Sequence, residues 1–466
     1  MVIAMKCVYK EVTSLDCKCY ESYHLSEDLL MEHAALGLKN ALLKDAKSIL
    51  IVAGPGNNGA DGIALSRMIV GDLKVSLYLP YGAKSEMAKL QLKRAESVGV
   101  DIVDTLHAVD VIVDALFGSG LSKPLDAKAV EIIETLNSYV GYKIACDIPT
   151  GIDMEGKIKE VAFIADITIT MGALKEALYS DDAKDFVGKI KCVDLGVSHK
   201  LYESDCKTYL LEKKDMKLPH RKFKNCHKGN FGYLSVVAGK KQGAGVITAK
   251  AAYAFGAGLV TVIENEPYTV PYELMSSTTL PHNNTAVCIG MGLGNQFDDD
   301  CLSKFLLRHD LPILIDADLF YRDILVEVLE KKNNLVLTPH PKEFASLLKM
   351  TNLAEVSVQE IQENRFKYIR VFNVKYPKVV LVLKGANTLI AYEEDVYIQR
   401  FGSNVLSKGG SGDVLGGLIG ALLAQGYEPL EAAITATLAH AFSAKSFKKN
   451  SYALTPENLI EGVKCL

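Results

Sequence analysis

The sequence predicts an α/β protein of two domains, each built around a largely parallel sheet. Three observations carry that prediction. The chain has 466 residues, more than one ordinary domain needs and enough for two or three. In both halves short apolar runs alternate with stretches of helical spacing, the pattern of buried parallel strands joined by crossover helices. Between residues 201 and 226 the alternation fails in LYESDCKTYLLEKKDMKLPHRKFKNC. This charged stretch sets a boundary near 205, giving domains at 1–205 and 206–466.

In the first half SILIVAG (48–54) reads as a buried strand, and so does KVSLYLP (74–80). SEMAKLQLKRAESVG (85–99) has helical spacing, with Ser85 as N-cap and Gly99 as stop. VDVIVDALFG (109–118) is a strand, AVEIIETLNSY (129–139) a helix, and YKIACDIPTG (142–151) a strand ending in a turn. ADITITMG and KIKCVDLG read as further strands. Ligands of such sheets sit at the carboxyl ends of the strands. The polar strand ends GPGNNGADG, DALFGSG and DIPTGID are therefore expected at one edge. In the second half YLSVVAG (233–239) opens a new alternation. A small-residue helix follows at 243–258, then the strand runs LVTVI, AVCIGMGLG, PILIDADLF, NLVLTPH and VVLVLKGANTLIA, and helices at 411–426 and 430–444.

The bulk properties exclude several classes. The chain is 49% hydrophobic with a net charge of −4, and no basic stripe suggests a nucleic-acid partner. No segment combines the length and apolarity of a signal peptide or membrane helix. Ten cysteines include no CxxC; Cys17 and Cys19 form a lone CxC, and Cys146, Cys192 and Cys288 lie in apolar runs. Free thiols are expected rather than zinc ligands or disulfides, which fits a reducing cytoplasm.

AGPGNNGADG (53–62) is a strand, a glycine turn and a helix start, the arrangement that offers free N–H groups and a partial positive charge to a phosphate. Gly54, Gly56 and Gly59 would let the main chain approach it. Asn57 and Asn58 add amide groups without charge. Asp61 would repel phosphate, so it faces a ribose hydroxyl or caps the helix. Asp114 and Asp147 each end an apolar strand, where an acid must be paired, hydrogen-bonded or bound to a metal. With Asn58 and Pro149-Thr150 they form an oxygen-only set suited to a hard cation; capping of neighbouring loops is the plainer alternative.

NNGADG, DALFGSG and CDIPTGID resemble the three motifs of the NAD(P)H-hydrate epimerase family, whose usual forms are closer to NNGGDG, DALFGTG and DxPSG. Ala60, Ser119 and Thr150 are mild departures. The resemblance covers most of 1–205 and implies a Rossmann-like parallel sheet that binds hydrated nicotinamide nucleotide, NAD(P)HX. The binding residues it implies are Asn57, Asn58, Gly59, Ala60, Asp61, Gly118, Ser119, Gly120, Leu121, Ser122, Lys123, Pro124 and Asp147. It also implies a potassium ion at Asn58, Asp114 and Thr150, with Asp147 as the acid/base.

GGSGDVLGG (409–417) sets Asp413 at a helix start beside the N–H groups of Gly410, Ser411 and Gly412, an anion hole for a phosphoryl group in transit. Asp413 there can take the proton of an attacking hydroxyl. A glycine-rich helix contact is the alternative. KGANT (384–388) offers a cation and main-chain donors, TPHPKEF (338–344) puts His340 at a strand end near Glu343, and GMGLGN (290–295) is a close-approach turn. No Walker lysine or serine is present. With HKGNFG (227–232), these segments follow the order of the NAD(P)H-hydrate dehydratase family, within the ribokinase-like fold, which they resemble from about 225 onward. Lys342 stands where that family often has Gly. The resemblance implies hydrate binding at Gly245, Gly294, His340 and Asp413. It implies nucleotide binding at Lys384, Gly385, Ala386, Asn387, Thr388 and Gly412, and Asp413 as catalytic base.

The expectation is a bifunctional enzyme, both isomerase and lyase. It would epimerise R- and S-NAD(P)HX and dehydrate the S form with ADP and magnesium, releasing AMP and phosphate. NAD(P)HX and ADP are the expected ligands, with no nucleic acid or membrane partner. Domains of this kind often form homo-oligomers, though no interface patch is readable. Two rivals stand beside this reading: a ribokinase-like small-molecule kinase, and a first domain that only binds ligand.

Overall fold

The computed structural model describes residues 5–265, 269–308 and 310–466. The chain divides into two compact units. One runs Cys7–Lys207; the other is Thr208–Leu466, joined by residues 5 and 6.

The first unit contains a seven-stranded sheet in the order β4-β3-β2-β5-β6-β7-β9. Its strands are β2 (Ser48–Ala53), β3 (Lys74–Tyr78), β4 (Asp101–Val103), β5 (Val111–Ala115), β6 (Tyr142–Cys146), β7 (Ile167–Met171) and β9 (Lys189–Val193). Every pairing is parallel. Both faces are covered. One packs on helices Thr13–Tyr23, Glu27–Lys39, Asn57–Ile69 and Glu86–Ser97, the other on helix Ala127–Ser138. That is why Ile49, Leu50, Ile51 and Val52 are buried in succession rather than alternately. Ser85 caps its helix as expected, its side chain accepting from the Ala88 N–H. A short pair, β1 (Lys6–Tyr9) and β8 (Leu174–Lys175), sets Tyr9 beside Lys175. The chain runs from β2 to β3 and β4 on one side, then crosses to β5 on the other. The gap between β2 and β5 is thus the switch point, where the carboxyl-end loops part.

The second unit repeats the plan. Its strands are β10 (Thr208–Leu210), β11 (Tyr233–Val237), β12 (Leu259–Ile263), β13 (Met275–Ser277), β14 (Ala286–Ile289), β15 (Ile313–Ile315), β16 (Leu335–Leu337), β17 (Val380–Leu383), β18 (Thr388–Tyr392) and β19 (Asp395–Gln399). They are ordered β13-β12-β11-β14-β15-β16-β17-β18-β19-β10. Pairing is parallel from β13 to β17 and antiparallel through β17-β18-β19. The KGANT turn is therefore a hairpin connection, whereas the run VVLVLKGANTLIA reads in sequence as strand with no direction of return assigned. The switch point lies between β11 and β14, whose following loops bond to each other through Lys241 N–H and Gly292 O at 2.9 Å. Glycine lets helices sit close here: a Cβ on Gly417 would come within 2.2 Å of Thr248 O.

One expectation is overturned. Cys7 and Cys206 form a disulfide, with their Cα atoms 5.9 Å apart. The two positions are 199 residues apart in sequence and meet only because the unit begins and ends at one place. No local spacing could have revealed the pair. Cys146 and Cys288 are free and buried as expected, while Cys192 is only partly so. Among the described residues no helix is long and apolar enough to cross a membrane.

Candidate functional sites

At the carboxyl edge of the first sheet lies a cavity of about 650 Å³. The three polar strand ends meet there: Asn57, Asn58 and Asp61 after β2, the run 116–126 after β5, and Asp147 after β6. Of the expected binding residues, Asn57, Asn58, Asp61, Gly118, Ser119, Gly120, Leu121, Ser122, Lys123, Pro124 and Asp147 line it. Gly59 and Ala60 do not. Ala60 is fully buried in the core, so its methyl group replaces glycine inside the fold rather than in the loop.

The glycines of the loop divide their work. A Cβ on Gly54 would lie 1.7 Å from Leu116 O, and one on Gly59 would lie 1.9 Å from Gly54 O. Both are required by chain packing on chain. Only Gly56, the helix N-cap, faces open space and leaves room for a ligand. Asn57 Nδ2 donates to Glu27 Oε1 at 2.5 Å.

Asp114 is buried and latches two loops together. Its carboxylate accepts from Thr150 N–H at 2.7 Å, Thr150 Oγ1 at 2.7 Å and Leu116 N–H at 3.1 Å. Thr150 Oγ1 also accepts from Phe117 N–H at 2.9 Å. Burial raises the Asp114 carboxyl to about 6 against these hydrogen bonds. The capping alternative thus describes much of what Asp114 does. Among the described residues no group of three or more His, Cys, Asp or Glu is placed to hold a metal. A cation here would rest on neutral oxygens plus Asp114. One observation fits that: the Asn58 side-chain nitrogen is buried with no hydrogen-bond partner, so a reversed amide would turn its oxygen inward.

Asp147 takes a left-handed backbone, φ 66°, which a non-glycine residue adopts only when its surroundings hold it there. Its Oδ1 accepts from Lys175 Nζ at 2.6 Å, and from Thr170 Oγ1 and Met171 N–H at 3.2 Å each. Asp61 also lines the cavity, its carboxyl pushed well up by burial and by the charges of Asp147 and Asp16. It does not cap the helix. Asp16 is also raised, chiefly by burial, and accepts from Tyr202 OH at 2.7 Å.

In the second unit the strand ends gather a different set. Lys384 Nζ is 2.9 Å from Asp316 Oδ1 and 3.7 Å from Glu343 Oε2. Gly412 adjoins this cluster: a Cβ there would stand 3.7 Å from Lys384 Nζ and 4.0 Å from Asp316 Oδ2. Asp413 follows in the first turn of helix Ser411–Ala424. Burial, then Asp316, raises its carboxyl to about 6, while Lys384 pulls it down. Of the three expected anion-hole donors, the Ser411 N–H is spent on Lys408 O at 3.2 Å, and Gly410 is the N-cap rather than a residue of the helix. Gly412 remains, and Asp413 adds a second first-turn N–H.

His340 caps helix Pro341–Met350. Its Nδ1 accepts from the Lys342 and Glu343 N–H groups at 3.2 Å, and Glu343 Oε2 accepts from His340 N–H at 2.8 Å. Lys342 occupies an ordinary helical position, so the backbone there has no need of glycine. Gly245 is set by packing, a Cβ falling 2.6 Å from that of Ala238, whereas Gly294 needs its positive φ of 60°. The KGANT turn is held from behind by buried Arg365, which donates to Asn387 O at 2.7 Å, Leu383 O at 2.8 Å and Lys384 O at 3.2 Å. Asn387 and Thr388 are buried, while Gly385 and Ala386 are exposed.

Residues 234–464 match the family model described as NAD(P)H-hydrate dehydratase, and residues 27–177 match YjeF-related protein N-terminus. The bifunctional NAD(P)H-hydrate repair enzyme of Helicobacter pylori is 44% identical, covering 99% of this chain and all of the relative. The chain belongs to the bifunctional NAD(P)H-hydrate repair enzyme family. The relative of that name from Coxiella burnetii is 34% identical, with 93% of each chain covered. Among solved structures, an ADP/ATP-dependent NAD(P)H-hydrate dehydratase from Bacillus subtilis, co-crystallised with ATP and magnesium, is similar at 26% identity and a TM-score of 0.44. That match covers 52% of this chain and 91% of the other.

Four residues of this repair-family chain escaped sequence reasoning: Asp16, Lys175, Asp316 and Arg365. Asp16 lies on helix Thr13–Tyr23, whose N-cap Val12 makes no side-chain bond, so no capping signal marked it. Asp316 stood in PILIDADLF as one more acid ending a buried strand. Lys175 and Arg365 carried no local signal, because each acts on a turn far from it in sequence.

Proposed function

We propose that the chain repairs hydrated nicotinamide nucleotides at two sites. The first-unit cavity epimerises R- and S-NAD(P)HX, and the second-unit cluster dehydrates the S form with ADP. The observation that carries this is the convergence, on a chain of this family, of the three polar strand ends on one cavity.

In the first unit Asp147 moves the proton at the hydroxyl-bearing carbon of the hydrate. The first-turn N–H groups after Gly56, with the amides of Asn57 and Asn58, hold phosphate. Asn58, Asp114 and Thr150 would hold potassium, which supplies charge balance beside the phosphate and no proton chemistry. In the second unit Asp413 accepts the hydroxyl proton as that oxygen bonds to the terminal phosphorus of ADP and AMP leaves. Loss of the phosphate ester, with a proton from the adjacent carbon, then restores the dihydropyridine. The N–H groups of Gly412 and Asp413 and the Lys384 ammonium take up charge on the moving phosphoryl group. The segment Lys384, Gly385, Ala386, Asn387 and Thr388 receives the nucleotide, while Gly245, Gly294 and His340 shape the hydrate side. Magnesium would enter with the nucleotide phosphates beside Asp316 and Glu343, neutralising phosphate charge.

The test is recovery of reduced-nicotinamide absorbance from an R/S mixture of NADHX with ADP. Complete conversion is expected. Conversion that stops near the S fraction would reduce the first unit to a binding module. A stable phosphorylated product from another alcohol, with no recovery, would favour the kinase.

A further inference from the structure

Asp147 does not present both carboxylate oxygens to the cavity. Three donors converge on Oδ1: Lys175 Nζ, Thr170 Oγ1 and the Met171 N–H. Lys175 is itself spent. Its Nζ donates to Asp147 Oδ1 at 2.6 Å, Thr170 Oγ1 at 3.0 Å and Met171 O at 3.2 Å, one acceptor for each of its three N–H bonds. The lysine is only 3% exposed, and its strand is fixed by the pairing of Tyr9 with Lys175. An ammonium so engaged has no proton to offer a substrate without breaking one of these bonds.

We infer that Lys175 is a positioning residue of the epimerase site: it fixes Asp147 through Oδ1, leaving Oδ2 as the oxygen that acts on the hydrate. Asp147 interacts electrostatically with Asp16, Tyr202, Asp61 from the facing helix, Cys146 and, on β9, Cys192. Lys123 and Asp126 line the same cavity, but the cation that bonds to Asp147 is Lys175. Removing it would leave Oδ1 with only the Thr170 Oγ1 and Met171 N–H donors, each at 3.2 Å, to hold the carboxylate.

The inference rests on the epimerase reading, and its test separates the two. Full-length protein is given an R/S NADHX mixture with ADP, and the fast S phase and slower R phase are followed over a range of substrate concentrations. The S phase is the internal control from the second unit. Lys175→Met is expected to lower kcat of the R phase at least tenfold while KM stays within twofold, because Asp147 is displaced and the cavity is kept. Lys175→Arg, which keeps a donor for Oδ1, should recover most of that kcat. Where thermal melts show Lys175→Met unfolded, Lys175→Gln, whose shorter side chain falls short of Oδ1, takes its place under the same expectation. A folded Lys175→Met or Lys175→Gln variant with kcat of the R phase within twofold of wild type, or with kcat and KM changed alike, overturns the inference alone. A wild-type R phase no faster than in buffer overturns the epimerase reading together with it.

Discussion

Asp413 and Asp114 are both held near 6 by burial, yet they are placed for opposite work. Asp413 has no hydrogen-bonded latch to maintain and stands at an open helix start. It serves as a base only when ionised, so the dehydratase rate should fall as pH drops through about 6 and level above it. A pH–kcat/KM profile on pure S-NADHX checks this. Asp413→Asn should lower dehydration by about 10²–10⁴-fold while leaving R/S exchange, followed by chromatography, intact. Asp114 instead ties the turn after β5 to Thr150. Asp114→Ala should cost about 1–3 kcal/mol for each buried donor left unpaired, measured by urea unfolding. Most individual site residues could be read from the sequence because each stood as a polar exception at the end of an apolar run. Lys175 could not. A lysine three residues after Gly172 looks like any surface lysine until Asp147, 28 positions away, is folded onto it.

The loop AGPGNNG holds three glycines that look alike in sequence, but two, Gly54 and Gly59, are demanded by chain against chain, and Gly56 is free. Gly54→Ala drives a methyl group into Leu116 O and should abolish folding of the first unit, seen as loss of its cooperative unfolding transition. Gly56→Ala meets nothing within 4 Å at its own φ of −103°. It should leave stability nearly unchanged and raise the KM for R-NADHX, since only a bound phosphate would feel the added methyl. The alternating strands and helices were readable because fully buried strands are apolar throughout. The β17–β18 hairpin was not: antiparallel return is set by the short KGANT turn, whose hold on Arg365 is long-range. The helices before β2 were missed for a related reason. Thr13–Tyr23 buries only Leu15 and Cys19, too narrow a stripe to stand out as a helical period.

At the scale of the whole chain, two units each carry their own core and switch point, which gives each chemistry its own scaffold. A fragment spanning 7–207 is therefore expected to fold alone and to exchange R- and S-NADHX without ADP, as chromatography of the epimers would show. Reducing Cys7–Cys206 frees a loop of 199 residues, and stability of that fragment should fall by about 2–4 kcal/mol in denaturant titrations with and without reductant. The meeting of these two cysteines has a consequence for how the sequence can be rewritten. With Cα atoms 5.9 Å apart, the start and finish of the unit can be spliced by a few residues, and a new beginning cut at the exposed Val140 preceding β6. Such a circular permutant would read β6 first and β5 last. The shape of its cavity would not depend on where translation starts.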